Sequence, residues 1–158
     1  MSAGDFDFVR AVVEEGARPG HVFKTAMRPG KPQVFGLFDG VPLIGLPGNP
    51  AAAIVSFIVL VRPALRKMLG VEPAVPLPFP VRFPADFEYR GGRVFLLRAR
   101  VEPDLDVGGY RFVSAGSQDS SFLASLARAN AVVVLPADAD RVREGEVRPA
   151  FWLGAREP

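Results

Sequence analysis

The sequence predicts a mixed fold, α/β in its first part and all-β in its second. Between residues 21 and 70, apolar runs of strand length meet at a tight turn and then lead into one long apolar helix. A proline-rich stretch follows, and beyond it short strand-like runs recur at close spacing. The 158 residues, 49% apolar and 23% charged, suit an ordinary globular protein of one full domain or two small ones.

Each element has its own signal. Asp5 and Asp7 precede Phe8, Val9, Val12 and Val13, an apolar face at helical spacing, which predicts a helix over 6–16 that ends at Gly16. Strands are predicted over 21–27, 33–38 and 41–46, with Asp39 and Gly40 as the hairpin turn between the last two. Pro47-Gly48-Asn49-Pro50 then stops the third strand. Asn49 suits an N-cap and Pro50 the first helical position. The helix should run to about residue 69, kink at Arg62-Pro63 and, being apolar on nearly every side through Val61, be buried.

Pro73, Pro76, Pro78, Pro80 and Pro84 predict a stiff linker over 71–84. Beyond it, strands are predicted over 94–101, 110–114, 132–135 and 147–153, with a turn over 104–109 and a short helix over 122–128. Strands of this length and spacing suit a small β-barrel or sandwich. The division is therefore residues 1–70, the linker, and residues 85–158. The first unit has too little helix to cover both faces of a mostly parallel sheet, so further chain or another subunit should pack against it.

Composition removes several kinds of chemistry. There is no cysteine, which excludes disulfides, thiolate metal sites and thiol nucleophiles, and a single histidine excludes a His-rich zinc site. The net charge of +2, without a dense basic stripe, argues against a nucleic-acid partner. The longest apolar run, around 51–61, is too short to span a bilayer. The N-terminus has no basic region followed by an apolar one, so a cytoplasmic protein without a signal peptide is expected.

The turns carry the functional signal. Five prolines, five glycines and three cations crowd the segment 24–57. One reading of the corner at 46–50 is an anion seat: a helix start offers unpaired N–H groups, and Lys24, Arg28 and Lys31 add charge from the neighbouring turn. The other is a rigid strand-to-helix corner and nothing more. Asp5 and Asp7 read either as caps of their helix or as Mg2+ or substrate ligands. The polar loop 114–121 reads either as a capped helix start or as a second place for an oxyanion, and Phe79, Phe83, Phe87 and Phe95 read as barrel core.

Three stretches carry a specific likeness: MRPGKPQVFG (27–36), GLPGNPAAAIVSF (45–57) and VRPALRKMLG (61–70). They resemble the molybdopterin molybdenumtransferase family, that of MoeA and the gephyrin E-domain. GSQDSSFLASLARANAVVVLP (116–136) and VREGEVRPAFWL (142–153) resemble the same family's C-terminal barrel. The resemblance implies the C-terminal half of a MogA-like α/β/α domain followed by a small β-barrel. It implies insertion of molybdate into adenylylated molybdopterin with release of AMP, using Mg2+. By the same resemblance, Asp7 is an acidic catalytic and metal-binding residue, because SAGDFD (2–7) is similar to the tail of a Gly-Gly-x-Ser-x-Gly-x-x-Asp motif. Lys24, Arg28 and Lys31 match active-site cations. Pro47, Gly48, Asn49 and Pro50 match the turn beside the substrate, and Arg98, Ser120 and Ser121 match barrel residues that approach the oxyanion.

There are departures. Ala52 stands where members commonly carry a serine, and the chain begins within the glycine-rich motif. Members are dimers whose clefts use domains that precede this region. The resemblance therefore implies a C-terminal portion inactive by itself, completed by a homodimer partner or an N-terminal half. The alternative is a non-catalytic scaffold module of gephyrin type. An oligonucleotide-binding barrel is a third reading, and it would show steeply salt-dependent binding.

Overall fold

The computed structural model describes residues 21–38, 40–119 and 123–154. Strand β1 (His21–Lys24) pairs antiparallel with β3 (Pro32–Phe38), and β3 pairs antiparallel with β4 (Val41–Gly45), giving a three-stranded sheet in the order β1-β3-β4. The predicted first strand is broken: Thr25 and Ala26 separate β1 from β2 (Met27–Arg28), which leaves this sheet and joins another. The β3/β4 hairpin forms where its sequence places it. Gly40, at φ 80°, supplies the left-handed backbone that the turn needs, while Asp39 lies outside the described residues.

The helix after β4 is α1 (Pro50–Ser56), a π-helical segment (Phe57–Val61) and α2 (Arg62–Met68) in continuous succession. The widened segment ends at Val61, immediately before Arg62-Pro63. The Arg62 N–H donates to the Phe57 carbonyl, one residue further back than in an α-helix, so the disturbance expected at Arg62-Pro63 is a change of hydrogen-bond register. The expectation of a helix buried all round is not met. Ala51, Ala52, Val55 and Ile58 are buried, but Ile54, Phe57 and Leu60 on the other side are each about two-fifths exposed.

The second part is a closed barrel. Strands β5 (Phe79–Arg82), β7 (Val94–Pro103), β8 (Tyr110–Ser114), β9 (Ala131–Leu135) and β11 (Val147–Trp152) run β7-β8-β5-β11-β9, and β9 pairs back onto β7. Closure leaves these five strands without a free edge. A small ribbon of β6 (Phe87–Glu88) and β10 (Arg141–Val142) lies beside it, and α3 (Leu123–Arg128) links β8 to β9. Val81, Phe83, Leu97, Val133, Leu135 and Val142 are fully buried in the barrel core, with Phe83 stacked on Phe112 at 4.6 Å. Strand β5 falls within the proline-rich stretch, where Pro80 stands opposite Pro149 on β11.

Three devices join the parts. Strand β2 adds to the barrel sheet by parallel pairing with β7, Met27 opposite Val94 and Arg28 opposite Phe95. Val55 of α1 packs on Leu96 and Val132, which point outward from the barrel wall. Arg62 then ties the helix to the end of β11, its guanidinium donating to the carbonyls of Trp152 (3.1 Å) and Leu153 (3.3 Å). No helix among the described residues is long and apolar enough to cross a membrane.

Candidate functional site

Antiparallel pairing of β3 with β4 sets Val34 opposite Gly45, so the start of β3 and the end of β4 lie at one end of the hairpin. The P-G-K-P turn (29–32) and the L-P-G-N-P corner (46–50) therefore emerge side by side, far apart in sequence and adjacent in the fold. This brings Lys31 to the same sheet end as Pro47, Gly48, Asn49 and Pro50.

A buried polar clamp fixes the first turn. Gly30 has φ 112°, and a Cβ there would lie 2.7 Å from both the Met27 methyl and Ser56 Oγ, so only glycine fits. Its carbonyl accepts hydrogen bonds from Thr25 Oγ1 (2.7 Å) and Gln33 Nε2 (2.9 Å), and Gln33 Nε2 also donates to Ser56 Oγ at 2.8 Å. Gln33 and Ser56 are buried. They hold the cationic turn against the end of α1. The motif reading passed over both residues, although a glutamine directly after P-G-K-P and a serine inside an apolar helix are the polar oddities that could have flagged them. Lys31 is left exposed on the turn.

At the second corner Asn49 occupies the N-cap position with extended backbone (φ −76°, ψ 123°). Its carbonyl accepts the first helical hydrogen bond from Ala53 at 2.8 Å, but its side chain makes no capping bond to the helix. The corner is built by Pro50 at the first helical position rather than by an asparagine side-chain cap.

Arg98 occupies an unusual place for a charged residue. It lies opposite Val132 across the β7–β9 ladder and so faces outward with Leu96, onto the side where α1 packs. It is 1% exposed. The loop after β8 wraps around it: Gln118 Oε1 accepts from the Arg98 backbone N–H at 3.0 Å and Gln118 Nε2 donates to the Arg98 carbonyl at 2.9 Å, so one side chain imitates a neighbouring strand. Arg98 Nη2 donates to the carbonyls of Ser117 (3.2 Å) and Asp119 (3.0 Å). Nε and Nη1 are buried without a hydrogen-bond partner among the described residues. Burial lowers the pKa of this guanidinium from its ordinary value, and the charge of Asp119 opposes the shift. A buried cation with two donor nitrogens unused is energetically costly unless an acceptor meets them.

Arg28 is placed elsewhere. It sits opposite Phe95, whose ring points into the barrel core, and its guanidinium carbon lies 5.5 Å from that ring's centroid. Phe95 and Arg98 are three positions apart on one strand and face opposite ways, so Arg28 and Arg98 do not share a side of the wall. Arg28 instead lines a cavity of about 340 Å³ with Arg90, Gly91, Gly92 and Arg93. Sequence reasoning did not single out Arg90 or Arg93. Lys24 ends β1, and its side chain, like Asp5, Asp7, Ser120 and Ser121, lies outside the described residues. Among the described residues no three His, Cys, Asp or Glu side chains assemble into a metal-holding set.

The comparisons agree with this architecture. Residues 1–67 match the family model described as a probable molybdopterin binding domain, and residues 80–149 match the MoeA C-terminal region (domain IV). Molybdopterin molybdenumtransferase 1 of Mycobacterium tuberculosis is 38% identical over 150 residues, covering 92% of this chain and 35% of the relative. The molybdopterin molybdenumtransferase of a Nostoc species is 36% identical over 141 residues, 86% of this chain and 32% of its own length. Among solved structures, a molybdopterin biosynthesis MoeA protein from Pyrococcus horikoshii superposes with a TM-score of 0.74 at 25% identity, over 95% of this chain and 36% of that one. The chain thus spans about a third of the length of the relatives it matches. With both of that family's regions matched in order and the closed barrel in place, the chain belongs to the molybdopterin molybdenumtransferase family.

Proposed function

We propose that this chain supplies part of the cleft in which molybdate is inserted into adenylylated molybdopterin with release of AMP, in the cytoplasm. The observation that carries the reading is Arg98, buried, charged and holding two donor nitrogens unpartnered among the described residues, beside the helix that follows the L-P-G-N-P corner. A guanidinium in a low-dielectric wall attracts an oxyanion more strongly than a water-screened charge would, and either Nε or Nη1 can donate one hydrogen bond to it. Lys31, carried on its clamped turn, adds mobile positive charge at the sheet end where the two corners meet. The chemistry is then mainly positioning and charge compensation: two anionic reactants are held together by donors already oriented before they arrive.

The cleft is completed by polypeptide beyond this chain, from a partner subunit in a homodimer or from a complementary N-terminal half, and this chain is inactive alone. Asp7 is the residue we assign to Mg2+, which would neutralise phosphate charge. The open apolar side of the helix, with Ile54, Phe57 and Leu60 exposed, supports the need for such a partner. It also favours the second reading, a scaffold module that binds a partner protein without catalysis.

Reconstitution separates the two. Adding the complementary N-terminal half should restore molybdate- and Mg2+-dependent AMP release, and Arg98→Ala should lower that rate at least 100-fold. Arg98→Lys, which keeps the charge but loses the guanidinium, should recover only a small part. Saturable partner binding with no AMP release from a folded, reconstituted complex would favour the scaffold. Full activity in Arg98→Ala would sink the assigned site.

A further inference from the structure

The cavity at Arg28, Arg90 and Arg93 is not used by the reading above, and its construction is specific. The Arg90-Gly91-Gly92-Arg93 loop is sealed against the segment after β9. A Cβ on Gly91 would lie 2.5 Å from the Ala139 carbonyl oxygen, and Gly92, at φ 85°, donates its N–H to the Ala137 carbonyl at 2.7 Å. Tyr89, at the edge of the loop, donates its N–H to the Asp140 carbonyl at 2.7 Å and its hydroxyl to the Pro136 carbonyl at 2.9 Å. Beyond the loop, the Val94 N–H donates to the Ala26 carbonyl at 2.9 Å, which brings β2 and its Arg28 alongside. The loop backbone is thereby held on both sides, while Arg90 and Arg93 flank the glycine pair.

Three arginines line one cavity of about 340 Å³, within the range of roughly 300–1,000 Å³ typical of small-molecule sites. Among the described residues no carboxylate lines it, and none of the three arginines makes a salt bridge. Mutually repelling cations gathered without an acid are relieved by an anion of more than one charge, and planar guanidinium forks match phosphate oxygens. From Phe95, beside Arg28, to Arg98 is three strand positions, about 10 Å of backbone, with the side chains on opposite faces. The two cationic places are therefore separate.

We infer that Arg28, Arg90 and Arg93 form a second anion site, distinct from Arg98, that takes the diphosphate of a small molecule. That the diphosphate belongs to the adenylylated pterin rests on the proposed function; the site itself does not. Arg90 and Arg93 are then binding residues for the phosphorylated half of the ligand, and Arg98 serves the oxyanion.

The test is calorimetric titration of the full chain with inorganic pyrophosphate and, separately, with molybdate. Arg90→Ala/Arg93→Ala should weaken pyrophosphate binding at least tenfold and leave molybdate binding within twofold. Arg100→Ala/Arg111→Ala removes the same charge from two exposed, ion-paired arginines and should change pyrophosphate binding less than twofold. Equal weakening by both double variants would mean a diffuse charge effect, and unchanged binding in Arg90→Ala/Arg93→Ala would mean the wrong residues; either overturns the inference. Thermal unfolding of each variant checks folding, and Arg90→Lys/Arg93→Lys, with charge kept and forks lost, should retain an intermediate affinity. Failure of molybdate to bind the wild-type chain would count against the Arg98 reading alone.

Discussion

The barrel and the three-stranded sheet treat their apolar residues in opposite ways. In the barrel, pairing β9 back onto β7 closes the ring, and the aromatic residues that read as core in the sequence pack inward with Val81, Leu97 and Leu135. In the sheet and its helix, β1 and β4 remain edges among the described residues, and Phe35, Ile54, Phe57, Leu65 and Met68 stay substantially exposed. Stability is thus concentrated where the chain can complete its own core. The motif turns and their cations lie where it cannot. The barrel acts as a foundation, and the corner motifs are fastened to it through β2, Val55 and Arg62.

The sharpest way to break this contrast is to truncate one aromatic in each part. Phe83→Ala should destabilise the chain by about 3–5 kcal/mol, the usual cost of an emptied aromatic core site, whereas Phe57→Ala should cost under about 1 kcal/mol. Urea unfolding reads both, and comparable losses would erase the distinction. Next in size, Gly30→Ala forces a side chain onto a left-handed backbone against Met27 and Ser56. It should cost about 1–3 kcal/mol by the same measurement. Gln33→Ala removes the donor shared by Gly30 and Ser56 and should cost about 1–2 kcal/mol, showing how firmly the cationic turn depends on the helix.

The smallest effect is a pH dependence confined to the barrel. Arg82 donates to Asp104 at 2.6 Å, and that hydrogen bond holds the Asp104 carboxyl below its usual range, helped by backbone N–H groups of Asp106 and Val107. Because the folded pKa is the lower one, the unfolded chain binds more protons in acid. The stabilisation is full above the unfolded carboxylate value near ~4 and is lost as pH falls through the folded value. Thermal melts from pH 7 down to pH 2 should show a shallower acid decline for Asp104→Asn than for wild type. An identical slope would remove this pair from the account.

Much of the barrel was legible because its strands carry local signals. The strand over 110–114 and the turn over 104–109 appear where the pattern places them, and the Asp104 N–H closes that turn on the Gly109 carbonyl at 2.9 Å. From the strand pattern alone ring closure was not legible, because nothing local encodes the return of β9 to β7; only the family resemblance implied the barrel that forms. Nor was the break in the first strand: residues 21–27 read as one run, but Met27 and Arg28 gain more by pairing with Val94 and Phe95 than by extending β1. Among the site residues, the paired turns were visible as motifs, whereas the clamp of Gln33 on Ser56 needs a contact across 23 residues. Arg90 and Arg93 were overlooked although their double-glycine loop repeats the logic of a cation set on a stiff turn. The helix face expected to be buried failed for a different reason: apolarity says that a surface needs cover, not that this chain supplies it.

The claim on which the rest depends is that Arg98 offers its unused nitrogens to a tetrahedral oxyanion. Anomalous scattering from crystals soaked in tungstate tests it directly. The account predicts a tungsten peak with an oxygen within hydrogen-bond distance, about 2.7–3.2 Å, of Arg98 Nε or Nη1, and no such peak in Arg98→Ala. Tungstate bound elsewhere, with both nitrogens of Arg98 turned to protein carbonyls, would contradict it.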